Sequence, residues 1–113
     1  MAATYQGFMA LRNAVEEFSA AGRIFTKPKV DTKTILDAEY VVIPSREVEG
    51  YADEKGGRIP LQLAGKNYTE WLEAPMLREI VLDRLERDAK APLQDIIGAV
   101  FYYEEYDTFK DSD

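Results

Sequence analysis

Apolar residues recur at helical spacing near both ends of the chain and crowd together in its middle. Phe8, Leu11, Val15 and Phe18 follow at intervals of three and four, so they share one stripe and predict a helix from about Thr4 to Ala21. Gly7 weakens its first turn, Gly22 fits the left-handed position that closes a helix, and Arg23 suits the negative end of the helix dipole. Arg23-Ile24-Phe25-Thr26 predicts a short strand, which Lys27-Pro28-Lys29 ends because proline cannot donate to a ladder. Thr34 to Ile43 is rich in β-branched and aromatic residues and predicts the strongest strand, with Asp37 marking a bulge or bend and Pro44 closing it.

The next segment is more polar. Glu47 to Arg58 predicts a loop or loose hairpin around Gly56-Gly57, Ile59 to Leu63 a short strand held at an edge by Pro60, and Ala64 to Thr69 a connector. Trp71, with Tyr68 and Leu72, is placed to staple helix to sheet. Ala74-Pro75 opens a second helix with Leu77, Ile80, Val81 and Leu85 on its buried stripe and Arg78, Asp83, Arg84, Glu86 and Arg87 opposite. Pro92 opens a third, with Leu93, Ile96, Ile97, Val100 and Phe101 facing inward. Helices and strands that segregate along the chain predict an α+β fold: three helices packed on a small, mainly antiparallel sheet, in a single domain over residues 1–113.

Composition narrows the chemistry. The chain has no histidine and no cysteine, which removes the commonest general base, the commonest transition-metal ligands and every Ser-His-Asp or Cys-His arrangement. Carboxylates remain, but Asp53-Glu54 lies in a turn-like stretch without an EF-hand ligand ladder. Neighbours such as Glu104-Glu105 point about 100° apart on a helix, a poor chelating pair. Ala64-Gly65-Lys66-Asn67 fails the phosphate-loop pattern at two fixed positions, and Asn67-Tyr68-Thr69 is a formal glycosylation sequon with no role in a cytoplasmic chain. We therefore expect no enzyme, no catalytic residue, no cofactor and no metal. The opening lacks a basic segment before an apolar run, and no apolar stretch approaches the roughly 20 residues of a membrane span, so we expect a cytoplasmic protein without membrane contact.

Charge then points to function. The net charge of −7 disfavours direct nucleic-acid binding. Acid concentrates at the C-terminal end, where Asp95, Glu104, Glu105, Asp107, Asp111 and Asp113 oppose Lys110 alone. Tyrosine is interleaved with that acid in Phe101-Tyr102-Tyr103-Glu104-Glu105-Tyr106-Asp107-Thr108-Phe109. Tyr103 and Phe109 are assigned to the core. Tyr102, Glu105, Tyr106 and Asp107, with Glu104 and Asp111 at the rim, are assigned to a surface for a basic protein partner. Acids at the C-terminal end of a helix oppose its dipole, so stability alone would place lysine or arginine there.

The ending from Ile97 to Phe109 resembles that of a family of small uncharacterised bacterial domains, which close on an Ala-Phe-x-Tyr-Tyr…Asp-Ala-Phe pattern. Arg78-Glu79-Ile80-Val81 is similar to the family's preceding helix, and Ile35-Leu36-Asp37 to its Val-Leu-Asp strand; Tyr106 and Thr108 depart from the pattern. The resemblance implies an immunity-type protein that neutralises a toxin domain of a contact-dependent or other polymorphic system. The other expectations are an accessory or scaffold subunit, phage or housekeeping, that uses the same face for homo- or hetero-oligomerisation, and, last, a carboxylate-dependent enzyme.

Overall fold

The computed structural model describes residues 2–18 and 21–107. Among the described residues, six strands, three helices and three short 3-10 turns follow in the order β1 (Ala3–Gln6), α1 (Phe8–Asn13), a turn at Val15–Glu17, β2 (Gly22–Lys27), β3 (Glu39–Pro44), a turn at Ser45–Glu47, β4 (Tyr51–Glu54), β5 (Gly57–Pro60), a turn at Leu61–Leu63, β6 (Thr69–Glu73), α2 (Ala74–Arg87) and α3 (Leu93–Tyr106). The class is α+β. Four strands form one antiparallel sheet in the order β1-β3-β2-β6, and β4 pairs with β5 in a separate hairpin.

Because side chains alternate along a strand, the central strands supply two cores. Ile24, Tyr40 and Val42 join Phe8, Leu11, Leu77, Ile80, Val81, Ile96 and Val100 in one buried cluster, which draws on all three helices. Phe25, Val41 and Ile43 turn to the opposite face and join Ile59, Leu63 and Tyr68. The hairpin is anchored to the edge of the large sheet where the Glu70 N–H donates to the Gly56 carbonyl at 2.9 Å. A β-carbon at Gly56 would stand 2.3 Å from the Tyr68 carbonyl oxygen, so only glycine allows this approach.

Several elements differ from the sequence-based expectations. Residues 3–6 are strand rather than helix: they alternate between half-buried and exposed and pair with β3. Gly7, at φ 86°, breaks the chain direction before α1, which is six residues long and passes into a 3-10 turn. Gly22 is not a helix cap but the first residue of β2, paired with Pro44. The strand expected over Thr34–Ile43 begins only at Glu39. Before it, the Asp31 carboxylate accepts the N–H groups of Lys33 and Thr34 at 2.7 and 2.9 Å, and the Ile35 N–H donates to the Asp31 carbonyl. Those local bonds hold a turn instead of a ladder. Ile35-Leu36-Asp37, which resembles a family strand, therefore lies in turns.

Downstream, β5 spans Gly57–Pro60, and Leu61–Leu63 is a 3-10 turn rather than strand. The segment around Trp71 is the unanticipated edge strand β6. Arg84 lies not on the solvated side of α2 but buried, at 9% exposure, with Nε and Nη2 donating to both carboxylate oxygens of Asp95 on α3.

Candidate functional site

Helix α3 carries the site because its sequence divides by face. Pro92 occupies the position before the first turn, and Asp95 places acid in that turn, where it favours the helix dipole. Ile96, Ala99 and Val100 are buried, and Tyr103 packs half-buried against the same cluster. Phe101 is half-buried and packs against the same cluster from the flank, as its inward placement predicts, whereas with about 100° of rotation per residue Gln94, Gly98, Tyr102 and Glu105 fall on the outward side. Beside Gly98, which carries no side chain, lies a shallow groove of about 250 Å³, walled by Thr32, Ile35, Leu36, Gln94, Ile97 and Phe101. Leu36 is 45% exposed at its edge.

Towards the helix end the outward side becomes aromatic and acidic. The rings of Tyr102 and Tyr106 lie 4.6 Å apart at an interplanar angle of 48°. Such a tilted pair is a favourable geometry and holds two large amphipathic rings as one body. Tyr102 is half-buried and Tyr106 is exposed at 56%, with Glu105 and Asp107 exposed beside them. Asp107 ends the helix in the left-handed conformation, at φ 54°, and its N–H donates to the Tyr103 carbonyl at 2.8 Å. The last turn contains no basic residue.

Glu104 differs from its neighbours. Its carboxylate accepts the Trp71 indole N–H at 3.1 Å, tying the end of α3 to β6. The indole in turn lies 5.4 Å from the Tyr40 ring, and Tyr40 packs edge-on against Phe8 at 6.3 Å. The Tyr40 hydroxyl donates to the Ile35 carbonyl at 2.5 Å. Trp71 therefore staples helix to sheet, from a strand. The Glu104 residue as a whole is exposed, but its carboxyl head is tucked against this aromatic group. Loss of water raises its pKa above the ordinary glutamate value, against smaller lowering effects from the indole hydrogen bond and the nearby Lys29 charge.

Tyr102, Glu105, Tyr106 and Asp107 thus gather at one end of α3, with Glu104 beside them but engaged by Trp71. Asp111 and Phe109 lie outside the described residues. The groove beside Gly98, with Leu36 at its edge, was not anticipated from the sequence. The Gly98 interruption of an apolar helix was the available signal, but the approach of residues 32–36 is a tertiary fact. Among the described residues no group of three or more acidic side chains is placed to hold a metal ion, and no helix is long and apolar enough to cross a membrane. Comparison of the chain with protein-family models, with curated proteins and with solved structures returned no match.

Proposed function

We propose that this chain is a cytoplasmic, non-enzymatic binding protein of the immunity type, which occludes a basic surface of a toxin domain with the end of α3. The observation that carries this is the exposed Tyr106 ring packed on Tyr102 and flanked by Glu105 and Asp107, at a helix end that has no basic residue in its last turn. A helix built for stability alone would carry cations there, whereas a cationic partner would complement both the acids and the dipole. Tyrosine supplies buried contact area at low entropic cost, and the acids supply steering and register. A nuclease toxin, whose cleft must attract phosphate, presents the kind of surface that such an acidic plug fits.

The exposed Leu36 beside Phe101 favours a second reading, in which the outward side of α3 is an oligomer interface of an accessory or scaffold subunit. Affinity capture from the native host, followed by binding kinetics on variants, separates the two. Under the first reading Glu105→Lys with Asp107→Lys slows association with the captured basic partner, most at low salt. Tyr106→Ala speeds dissociation, weakening the complex by about 2 kcal/mol or more, roughly thirtyfold in Kd. Both variants keep the parent's melting temperature within a few degrees. A concentration-dependent dimer that Leu36→Asp dissolves would support the second reading. Unchanged kinetics in both charge and tyrosine variants would remove the face from the account.

A further inference from the structure

At the far end of the sheet from β1, the tip of the β4–β5 hairpin, the loop before β6 and the segment after β2 enclose a groove of about 680 Å³. Its walls are Lys29, Glu54, Lys55, Gly56, Asn67, Tyr68 and Thr69. The volume lies within the range of sites that hold small molecules. We propose that this groove binds a compact phosphorylated anion with at least two negative groups, of the pyrophosphate or nucleoside-diphosphate class.

Charge distribution is the first support. Lys29 and Lys55 line the groove, Lys66 precedes Asn67 on the same loop, and the Lys27 ammonium stands 5.6 Å from the centre of the Tyr68 ring. Two of the chain's seven lysines thus line the groove and two more adjoin its lining residues, in a protein with net charge −7. Every ion pair among the described residues uses an arginine: Arg23 with Glu70 and Glu73, Arg84 with Asp95, and Arg87 with Asp83. None joins one of these four lysines to a carboxylate.

The carboxylates nearby already have other donors. Glu54 accepts the Gly65 N–H at 2.9 Å, Glu39 accepts the Tyr68 hydroxyl, and Glu104, which feels the Lys29 charge, accepts the Trp71 indole. Lys29 and Lys55 line the groove as compact, hydrated point charges, the form in which lysine meets phosphate. The Asn67 amide and the Thr69 hydroxyl add neutral donors to the same walls.

Rigidity is the second support. The hairpin tip is fixed to β6 by the Glu70-to-Gly56 backbone bond and by an approach that excludes any side chain at Gly56. The site is thus formed before a ligand arrives, and little ordering entropy opposes binding. The acidic field of the whole molecule decides between ligand sizes. A long nucleic acid would run past the positive groove into negative surface, whereas a compact anion meets only the groove.

Titrating the ¹⁵N-labelled protein with inorganic pyrophosphate, with orthophosphate and with sodium chloride at matched ionic strength tests this. Saturable amide shifts at Gly56, Asn67 and Thr69 are expected with pyrophosphate, weaker ones with orthophosphate and none with chloride. Lys29→Glu with Lys55→Glu should raise the pyrophosphate Kd by about tenfold or more, and the charge-neutral Lys29→Gln with Lys55→Gln by less. Lys90→Glu, between α2 and α3, should leave it unchanged. The proposal is overturned if shifts are absent or equal in chloride, or if the double charge reversal leaves Kd unaltered while the spectrum stays folded. Tighter binding of a short single-stranded oligonucleotide at the same amides would also overturn it.

Discussion

Replacing Asp95 by alanine takes away the carboxylate that two arginine nitrogens share between α2 and α3. In the folded protein Arg84 Nε and Nη2 lie 3.2 and 2.8 Å from one Asp95 oxygen, and Nη2 lies 2.9 Å from the other. The arginine side chain is 10% exposed and the aspartate 28%. Removing one member of a fully buried pair costs about 3–5 kcal/mol, and of an exposed pair about 0.2–1 kcal/mol. The Asp95 side reaches water and the Arg84 side does not, so we expect about 2–3 kcal/mol for Asp95→Ala. At this chain length that is a fall in Tm of roughly 10 °C. Arg84→Met should cost less, about 1–2 kcal/mol, because the apolar stem is kept and the remaining carboxylate can take up water. Arg84→Met with Asp95→Leu should return to within about 1 kcal/mol of the parent. Asp83→Ala, which removes the more exposed Arg87–Asp83 pair along α2, should cost under about 0.5 kcal/mol. Urea unfolding followed by circular dichroism measures all four. The reasoning fails if Asp95→Ala unfolds within about 0.5 kcal/mol of the parent, or if Asp83→Ala costs as much.

Two further outcomes follow from packing and charge. Ile80 and Ile97 are buried at 1% and 7% exposure in the helix-side core, so each alanine substitution should cost about 2–5 kcal/mol; parent-like urea curves for both would show the helix faces misassigned. Because burial raises the Glu104 pKa, ionisation is less favourable in the folded state than in the unfolded chain. Its contribution is fully present below the ordinary glutamate value of 4.5 and is lost as pH rises through the raised value. Glu104→Gln keeps an acceptor for the Trp71 N–H and removes the ionisation. The stability difference between variant and parent should therefore grow in the variant's favour across that range; a difference independent of pH would contradict the assignment.

The helical stripes that predicted α2 and α3 were legible because Leu77, Ile80, Val81, Ile96, Ile97 and Val100 repeat at spacings that only a helix brings together. Arg84 was misread from chemistry alone. It stands seven, four and three residues after Leu77, Ile80 and Val81, so the periodicity itself places it on the buried face, where a charged residue is rare unless paired. Residues 3–6 were hidden because Tyr5 and Phe8 extend the helical spacing backwards across Gly7. Strand β6 was hidden because Thr69-Glu70-Trp71-Leu72-Glu73 has one β-branched residue and draws its partners from β2, more than forty positions away. The cluster at the end of α3 was readable as a composition of acid and tyrosine. The tyrosine ring pair was within reach as an i, i+4 spacing. The capture of Glu104 by Trp71 joins residues 33 positions apart and had no local signal.

The binding face is tested most directly by a photo-reactive amino acid at position 106, introduced into the full chain in its native host, with the same residue at Gln62 on the hairpin side as the control. The expected result is a cross-linked adduct to a basic protein from position 106, absent from position 62 and lost when Glu105 and Asp107 are both changed to lysine. Adducts of equal yield from both positions, or an adduct from position 62 alone, would contradict a binding face at the end of α3.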